Sequence, residues 1–204
     1  MLIEIPYLRE RAVEYALRWA LSRNPLFPDF AGIGGDCTNF VSQAILAGSC
    51  VMNDTLDFGW YYFSPENRAP AWTSVRYFYD FITGAPEFLR ENGGEGPYGT
   101  ETTTVAIEPG DVVQLANEQG TYYHTLMVTG ADGDDLLVSA HTDDARNRPL
   151  STYRYATARF LHIRGVRLLL DNEECYRQLL GGIAYRPLTC TADGVLLRPQ
   201  GGMM

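Results

Sequence analysis

The order of hydrophobic patterns along the chain predicts an α+β fold. Stretches with apolar residues at helical spacing come first, at residues 8–22 and 36–48. Four short apolar runs separated by turn signals follow them: 112–116, 122–130, 135–141 and 159–165. When helices precede strands in this way, the helices typically pack on one side of an antiparallel sheet. We therefore expect N-terminal helices packed on an antiparallel β-sheet.

Each predicted helix has recognisable ends. The first helix places Ala12, Ala16 and Ala20 on one face and stops before Asn24-Pro25, because a residue before proline avoids the α region. The second helix can be capped by Asp36 and ends at Gly48. Residues 72–82 fit a third, shorter helix, whereas the Gly- and Thr-rich segment 93–104 is typical of a polar connection. After residue 165, VRLLL is interpreted as a strand, EECYRQLL as a short helix and TADGVLL as a hairpin.

Composition excludes several classes of protein. The 204 residues carry 16 basic and 25 acidic side chains, a net charge of -9, with none of the basic clusters that nucleic acid requires. No run of about 18 apolar residues could span a membrane. The N-terminus lacks the pattern of a signal peptide, so we expect a cytoplasmic protein, or an extracellular or cell-wall protein if a leader has been removed. Oligomeric state is not indicated.

Cys37 is the most informative residue for chemistry. It follows GIGGD at the predicted start of the second helix. Amides at a helix N-terminus and the helix dipole stabilise a thiolate, which favours a nucleophilic role, and the Cys37 amide could bind an oxyanion. The ordinary alternative is a small buried hydrophobic residue. The other three cysteines match neither a zinc ribbon nor a dense disulfide framework and are interpreted as structural or incidental.

Two histidines are candidates to act with this thiol. His124 heads an apolar strand face with Leu126 and Val128, as either a buried core histidine or a catalytic base. His141 lies on the next predicted strand, so an antiparallel hairpin would bring the two histidines together. Asp143 could orient the imidazole instead. The third histidine, His162, is interpreted as structural.

The remaining predictions concern the binding of substrate, cofactor and metal ions. An aromatic stretch contains Trp60, Tyr61 and Tyr62, and together with Trp72 it could form the walls of a substrate cleft. No cofactor and no metal ion are expected, because His124, His141, Asp143 and Cys37 match no standard metal-binding spacing.

The run GGDCTNFVSQ, at residues 34–43, is more specific than any single residue. With YALRWALSRNPLFPDF before it and GWYY, RAPAWTSV, GDVVQL, HTLMVTG and AHTDDARNRPLSTYRY after it, the chain resembles the bacterial amidase domain family. That family is similar to the NlpC-type and CHAP-type peptidases of the papain-like clan. The resemblance covers roughly residues 7–163 and implies a papain-like domain, which we place at 1–164. Residues 165–204 lie outside the resemblance, and we expect them to form a C-terminal extension packed on the same domain.

The resemblance also implies roles for individual residues. It places the nucleophile at Cys37, the general base at His124 and the third catalytic group at His141. NlpC-type domains often use a tyrosine upstream of the cysteine to hold the oxyanion, where this chain offers Asn24. Asp36 and Asp143 are further candidates for orienting or oxyanion-binding groups.

The implied activity is cysteine-dependent hydrolysis of an amide bond. The substrate would be a peptide or another small amide, with peptides derived from bacterial cell walls as the leading class. The alternative is a catalytically inactive papain-like module that binds a ligand in the aromatic cleft.

Overall fold

A layer of helices packs against one face of a largely antiparallel sheet. The computed structural model describes residues 2–169, 180–181, 189–190 and 196–197. The helices are α1 (Arg9–Trp19), α2 (Cys37–Ser49), α3 (Pro70–Thr73), α4 (Val75–Thr83) and α5 (Pro86–Asn92). The strands are β1 (Leu2–Ile5), β2 (Gly96–Thr102), β3 (Val112–Ala116), β4 (Tyr122–Asp132), β5 (Asp135–Ala140), β6 (Ala145–Pro149), β7 (Thr157–Leu169), β8 (Thr189–Cys190) and β9 (Leu196–Leu197). The α+β prediction is confirmed.

Strand β7 organises the sheet. The order is β1-β7-β3-β4-β5-β6, and β2 also pairs with β7. All of these pairings are antiparallel. The predicted domain boundary at residue 164 falls inside β7, and residues 166–169 pair with β1. Residues on both sides of that boundary thus share one sheet.

The two faces of the sheet cover separate cores. On one face, Val112, Met127 and Leu161 pack with the helices in the larger, helix-side core. On the other face, Leu115, Leu126, Val128 and Val138 form a second core with Leu150. This division follows the alternation of side chains along a strand, and it decides on which side of the sheet each histidine lies.

Helix α2 lies deep in the helix-side core. Every residue of α2 except Ala47 is buried. Helix α1 packs beside it through Ala12 and Ala16, as the apolar stripe of the sequence predicts. The structural interpretation of His162 agrees with its contacts, since its Nδ1 lies 2.9 Å from Oδ2 of Asp111, the residue before β3.

Several elements differ from the predictions. The segment expected to be a single helix over 72–82 is divided at Ser74, whose hydroxyl caps α4 by accepting from the Tyr77 amide. The segment 93–104 contains β2 instead of a polar connection, because its backbone pairs with β7. Strand β6 occupies part of the segment HTDDARNRP, where a solvated loop was an alternative.

The predictions after residue 165 are only partly testable. VRLLL continues β7 as far as Leu169. Strands β8 and β9 pair with each other, in agreement with a hairpin, but its turn and most of EECYRQLL lie outside the described residues. No helix in the described ranges is long and apolar enough to cross a membrane.

Candidate active site

Cys37 begins helix α2 after a glycine-dependent turn. Gly34 and Gly35 have φ values of 110° and 109°, a backbone conformation that side chains with a Cβ rarely adopt. This turn brings the first residue of α2 against strand β4. The Cys37 side chain is free of disulfide bonding and buried, with 6% of its surface exposed.

The Cys37 sulfur is surrounded by hydrogen-bond donors. The backbone amides of Thr125, Thr38 and Cys37 itself point at the sulfur, and the Thr38 hydroxyl lies 3.9 Å from it. Burial nevertheless raises the pKa of the Cys37 thiol, and these hydrogen bonds only partly offset that effect. The direction is opposite to the one expected from a helix N-terminus alone, so the resting group is a thiol.

His124 is the neighbour of Thr125 on strand β4, and alternation along the strand directs its side chain to the same face as Leu126 and Val128. It precedes Thr125, whose amide reaches the sulfur, and it pairs with Leu115 across the β3–β4 ladder. Its ring is 6.2 Å from the Tyr123 ring and 6.1 Å from the Tyr153 ring. The His124 side chain therefore extends the second core.

Burial keeps the His124 imidazole neutral at neutral pH. Burial lowers the pKa of the imidazole to about 4, with Asp143 acting to raise it and Arg148 to lower it. At neutral pH the ring can accept a proton. The described part of the chain supplies no hydrogen bond between Cys37 and either His124 or His141.

His141 is held on the helix side by contacts to both ring nitrogens. Its Nδ1 lies 2.6 Å from Asp36 Oδ2, and its Nε2 lies 2.9 Å from the Trp19 carbonyl oxygen. The ring stacks on Phe40 at 4.1 Å and is 1% exposed. The hairpin was predicted to bring His124 and His141 together. The two imidazoles share no hydrogen bond, because alternation along the hairpin directs their side chains to opposite faces of the sheet.

The Asp36 side chain contacts several separate segments of the chain and does not cap the N-terminus of α2. The prediction that its side chain caps the helix is wrong. Its Oδ1 accepts from the Phe30 amide and the Asn39 side chain, and Arg23 Nε lies 3.4 Å from Oδ2. These contacts engage both carboxyl oxygens of Asp36 within the protein, because Oδ2 also lies 2.6 Å from His141 Nδ1.

The structure distinguishes the remaining two candidates, Asp143 and Asn24, by what each side chain lies near. Asp143 is close enough to His124 to affect its pKa, and it occupies a left-handed backbone position with φ of 66°. Asn24 does not approach Cys37, since its side chain donates to Tyr15 Oη and lines a cavity beside the middle of α2. Asp143 therefore fits the orienting role, and Asn24 does not fit the oxyanion role.

The predicted aromatic cleft is largely a core. Trp60 and Trp72 are fully buried, with their indole rings 4.8 Å apart. Their ring nitrogens donate to α2, Trp60 to Ser42 Oγ and Trp72 to Asn39 Oδ1. Tyr61 and Tyr62 are also buried, and of the four residues only Tyr62 lines a described cavity. The prediction for the two tryptophans is wrong because indole N–H groups could be satisfied inside the protein.

A buried polar chain behind Cys37 was missed by the sequence reasoning. Thr38 and Thr125 place their hydroxyl oxygens 2.9 Å apart, and Gln114 Nε2 donates to Thr125 Oγ1 at 3.2 Å. Gln114 Oε1 accepts from Arg159 Nε at 2.8 Å. The signal in the sequence is polar residues at inward positions of otherwise apolar strands, as in VVQLA and HTLMV.

The metal alternative finds no support in the geometry. Within the ranges that the structure describes, no three His, Cys, Asp or Glu side chains are grouped so that they could hold a metal ion. His124 and His141 lie on different faces of the sheet, which separates two of the four suggested ligands.

Comparison with known proteins identifies the family. Residues 6–164 match the family model described as "Putative amidase domain", and the chain belongs to that family. The chain is similar to the uncharacterized protein YhbB of Bacillus subtilis (strain 168), with 30% identity over 156 residues. This match covers 74% of the chain and 46% of YhbB, so the chain spans about half the length of this relative. No solved structure gives a significant match.

Proposed function

We propose that this protein is a papain-like cysteine amidase in which Cys37 is the nucleophile and His124 the general base. The observation that carries the proposal is the buried Cys37 thiol at the start of α2, which receives the amide of the residue that follows His124. A helix N-terminal cysteine beside a strand histidine is the arrangement that cysteine amide hydrolysis requires. The family assignment supports the same reaction class.

The proposed resting state is a neutral thiol and a neutral imidazole. Burial raises the pKa of Cys37 and lowers that of His124, so neither group is charged at neutral pH. Catalytic hydrogen bonds are often long before substrate binds and shorten in the substrate complex. We therefore expect the proton to move from sulfur to His124 as the sulfur attacks.

The reaction proceeds through a thioester. The sulfur forms a bond to the amide carbon, the carbonyl electrons become the oxyanion, and His124 takes the thiol proton. Collapse of the oxyanion breaks the carbon–nitrogen bond, and the departing amine takes the proton from His124. Water then attacks the thioester while His124 takes a proton from it. The carbon–sulfur bond breaks, and the released thiolate regains that proton.

Supporting groups are assigned from the contacts around the pair. Asp143 is the orienting group for His124, because both ring nitrogens of His141 are already bonded to Asp36 and Trp19. The Cys37 amide is the proposed oxyanion donor. The Asp36 amide is already committed, since it donates to Thr142 Oγ1 at 2.8 Å.

Thiol reactivity tests the proposal without a known substrate. Iodoacetamide labelling of Cys37 is followed by peptide mass spectrometry from pH 5 to 9 in the wild type, His124→Ala and His162→Gln. We expect His124→Ala to slow labelling at neutral pH and to alter its pH profile, with His162→Gln as the matched control for loss of a histidine. A labelling rate that does not depend on His124 at any pH overturns the catalytic pair.

Hydrolysis is then assayed on peptides derived from bacterial cell walls, the substrate class proposed from the likeness to NlpC-type and CHAP-type enzymes, and on other small amides. Cys37→Ala should abolish hydrolysis and preserve the unfolding midpoint. Unchanged hydrolysis in that variant excludes the mechanism.

A binding module is the second candidate, favoured by the raised pKa of the Cys37 thiol. Such a module has no need of a reactive sulfur. The burial of Trp60 and Trp72 argues against the aromatic cleft in which such a module would bind its ligand. The labelling experiment separates the two candidates, because in a binding module the labelling rate of Cys37 does not depend on His124.

A further inference from the structure

Arg68 lies near the end of α2 at which Cys37 is located. Four residues after it, Trp72 donates from its ring nitrogen to Asn39 Oδ1, in the first turn of α2, at 2.8 Å. The Arg68 guanidinium carbon lies over the Phe30 ring, 4.5 Å from the ring centroid. Phe30 belongs to the loop that leads to Cys37. The guanidinium therefore lies beside that loop.

Phe30 connects this guanidinium to the turn before the nucleophile. Its carbonyl oxygen accepts from the Gly35 amide at 3.2 Å, and its amide donates to Asp36 Oδ1 at 3.0 Å. Both partners directly precede Cys37 in the chain. A group bound at the Arg68 guanidinium therefore lies close to the turn that positions the Cys37 sulfur.

The Arg68 guanidinium lacks an acceptor for one of its buried donors. Its Nη1 donates to the Pro65 carbonyl oxygen, whereas its Nε is buried and has no hydrogen-bond partner among the described residues. Nor does Arg68 form an ion pair with any described carboxylate. Glu66, two residues earlier, accepts from the Ser64 hydroxyl at 3.2 Å instead. A buried N–H of a charged group is unfavourable without an acceptor, so an anionic oxygen is expected here.

The shape of the guanidinium indicates which anion fits. Nε and Nη2 lie on one edge of the planar group, and this edge matches the two oxygens of a carboxylate. Two other partly buried arginines are satisfied by carboxylates of the chain itself, Arg9 by two and Arg23 by three. The net charge of -9 repels anions at long range, so recognition of a carboxylate depends on a local contact of this kind.

We propose that Arg68 binds a carboxylate of the amide substrate through its Nε–Nη2 edge and thereby selects substrates with a carboxylate near the bond that is cleaved. This inference rests on the proposed function, because it assigns a specificity to the reaction at Cys37. Both a peptide C-terminus and an acidic side chain supply a carboxylate, and the experiment distinguishes these two sources.

N-iodoacetyl compounds test this site through their reaction with the Cys37 thiol. Glycine, diglycine and triglycine derivatives are compared as free acids and as C-terminal amides, which differ in the terminal carboxylate. The glutamic acid α-amide derivative carries its carboxylate on a side chain, and the glutamine α-amide derivative is its neutral partner. Peptide mass spectrometry gives the labelling rates. We expect at least one acid to label Cys37 about tenfold faster than its neutral partner, as a charged hydrogen bond predicts. Equal rates within every pair overturn the proposal.

Arg68→Gln removes the charge and should abolish the preference for the acid. Arg90→Gln is the matched control, because it removes one positive charge from an exposed arginine of α5, and it should keep the preference. A preference that persists in Arg68→Gln contradicts the proposal.

An equilibrium measurement on the wild type decides the question if Arg68→Gln does not fold. The Nε–H resonance of Arg68 is assigned by NMR through its absence in Arg68→Lys. It should shift when the N-acetyl form of the preferred acid is added and not when the neutral partner is added. A resonance that shifts with neither compound, or equally with both, refutes carboxylate binding at Arg68.

His124→Ala distinguishes this inference from the proposed function. Carboxylate binding needs no proton transfer, so the acid should keep its advantage over the neutral partner in this variant, whatever the absolute labelling rate. An intact advantage together with rates that do not depend on His124 refutes the catalytic pair and retains the carboxylate site. Loss of the advantage in His124→Ala contradicts a site formed by Arg68.

Discussion

Replacing His124 by Gln should remove a pH-dependent part of the protein's stability. Burial lowers the imidazole pKa to about 4 in the folded protein, against 6.5 for an unperturbed histidine. Between these values the unfolded chain binds a proton that the folded chain does not, so the free energy of unfolding rises with pH. The wild type should gain about 3 kcal/mol relative to His124→Gln between pH 4 and pH 6.5, at about 1.4 kcal/mol per pKa unit.

Urea unfolding at half-unit intervals from pH 4 to pH 8 measures this difference. Subtracting the curve of His124→Gln removes the titration of carboxylates and of the other histidines, which both proteins share. Tyr153→Phe is the matched control, because it alters the ring packed on His124 and adds no group that titrates in this window. Parallel stability curves for the wild type and His124→Gln would refute the reasoning that His124 is buried as a neutral ring.

Three further changes test other parts of the site. Asp143→Asn should slow Cys37 labelling at neutral pH and move the acid limb of its pH profile lower, because Asp143 raises the pKa of His124; an unmoved limb counts against this role. Asp36→Ala leaves His141, the Phe30 amide and Asn39 without their shared acceptor and should cost about 3 kcal/mol in urea unfolding, whereas a loss below about 1 kcal/mol contradicts buried hydrogen bonds at this carboxyl group. Trp72→Ala should cost about 3 to 5 kcal/mol of unfolding free energy, as a core residue does, and a full-stability variant with weakened ligand binding would restore the cleft interpretation.

Elements with a strong hydrophobic period could be predicted from the sequence. Helices α1 and α2 and strands β3, β4 and β5 all lie where periodicity placed them. Strands β1 and β2 could not be recognised in this way, because they exist through pairing with β7, which lies far along the chain from both. Their own sequences are short or rich in glycine and threonine, which carry little local preference.

The same distinction between local features and long-range contacts applies to the candidate site. Cys37 and His124 could be found because a glycine turn, a helix start and a strand face are local features. The partner of Asp36 could not, since its carboxylate bonds to His141, 105 residues away, instead of to the helix that it precedes. Local capping preference gave way to a buried contact between carboxyl group and imidazole that only the folded chain brings together.

The burial of α2 accounts for the state of the nucleophile. A helix N-terminus stabilises a thiolate, but the same helix lies in the helix-side core with every residue except Ala47 buried. Desolvation opposes a charge on the sulfur and outweighs the amides that point at it, so the thiol pKa rises. The neighbouring imidazole is neutral for the same reason. In the proposed mechanism, activation of Cys37 therefore depends on proton transfer to His124 when an amide substrate is bound, and not on a thiolate that exists beforehand.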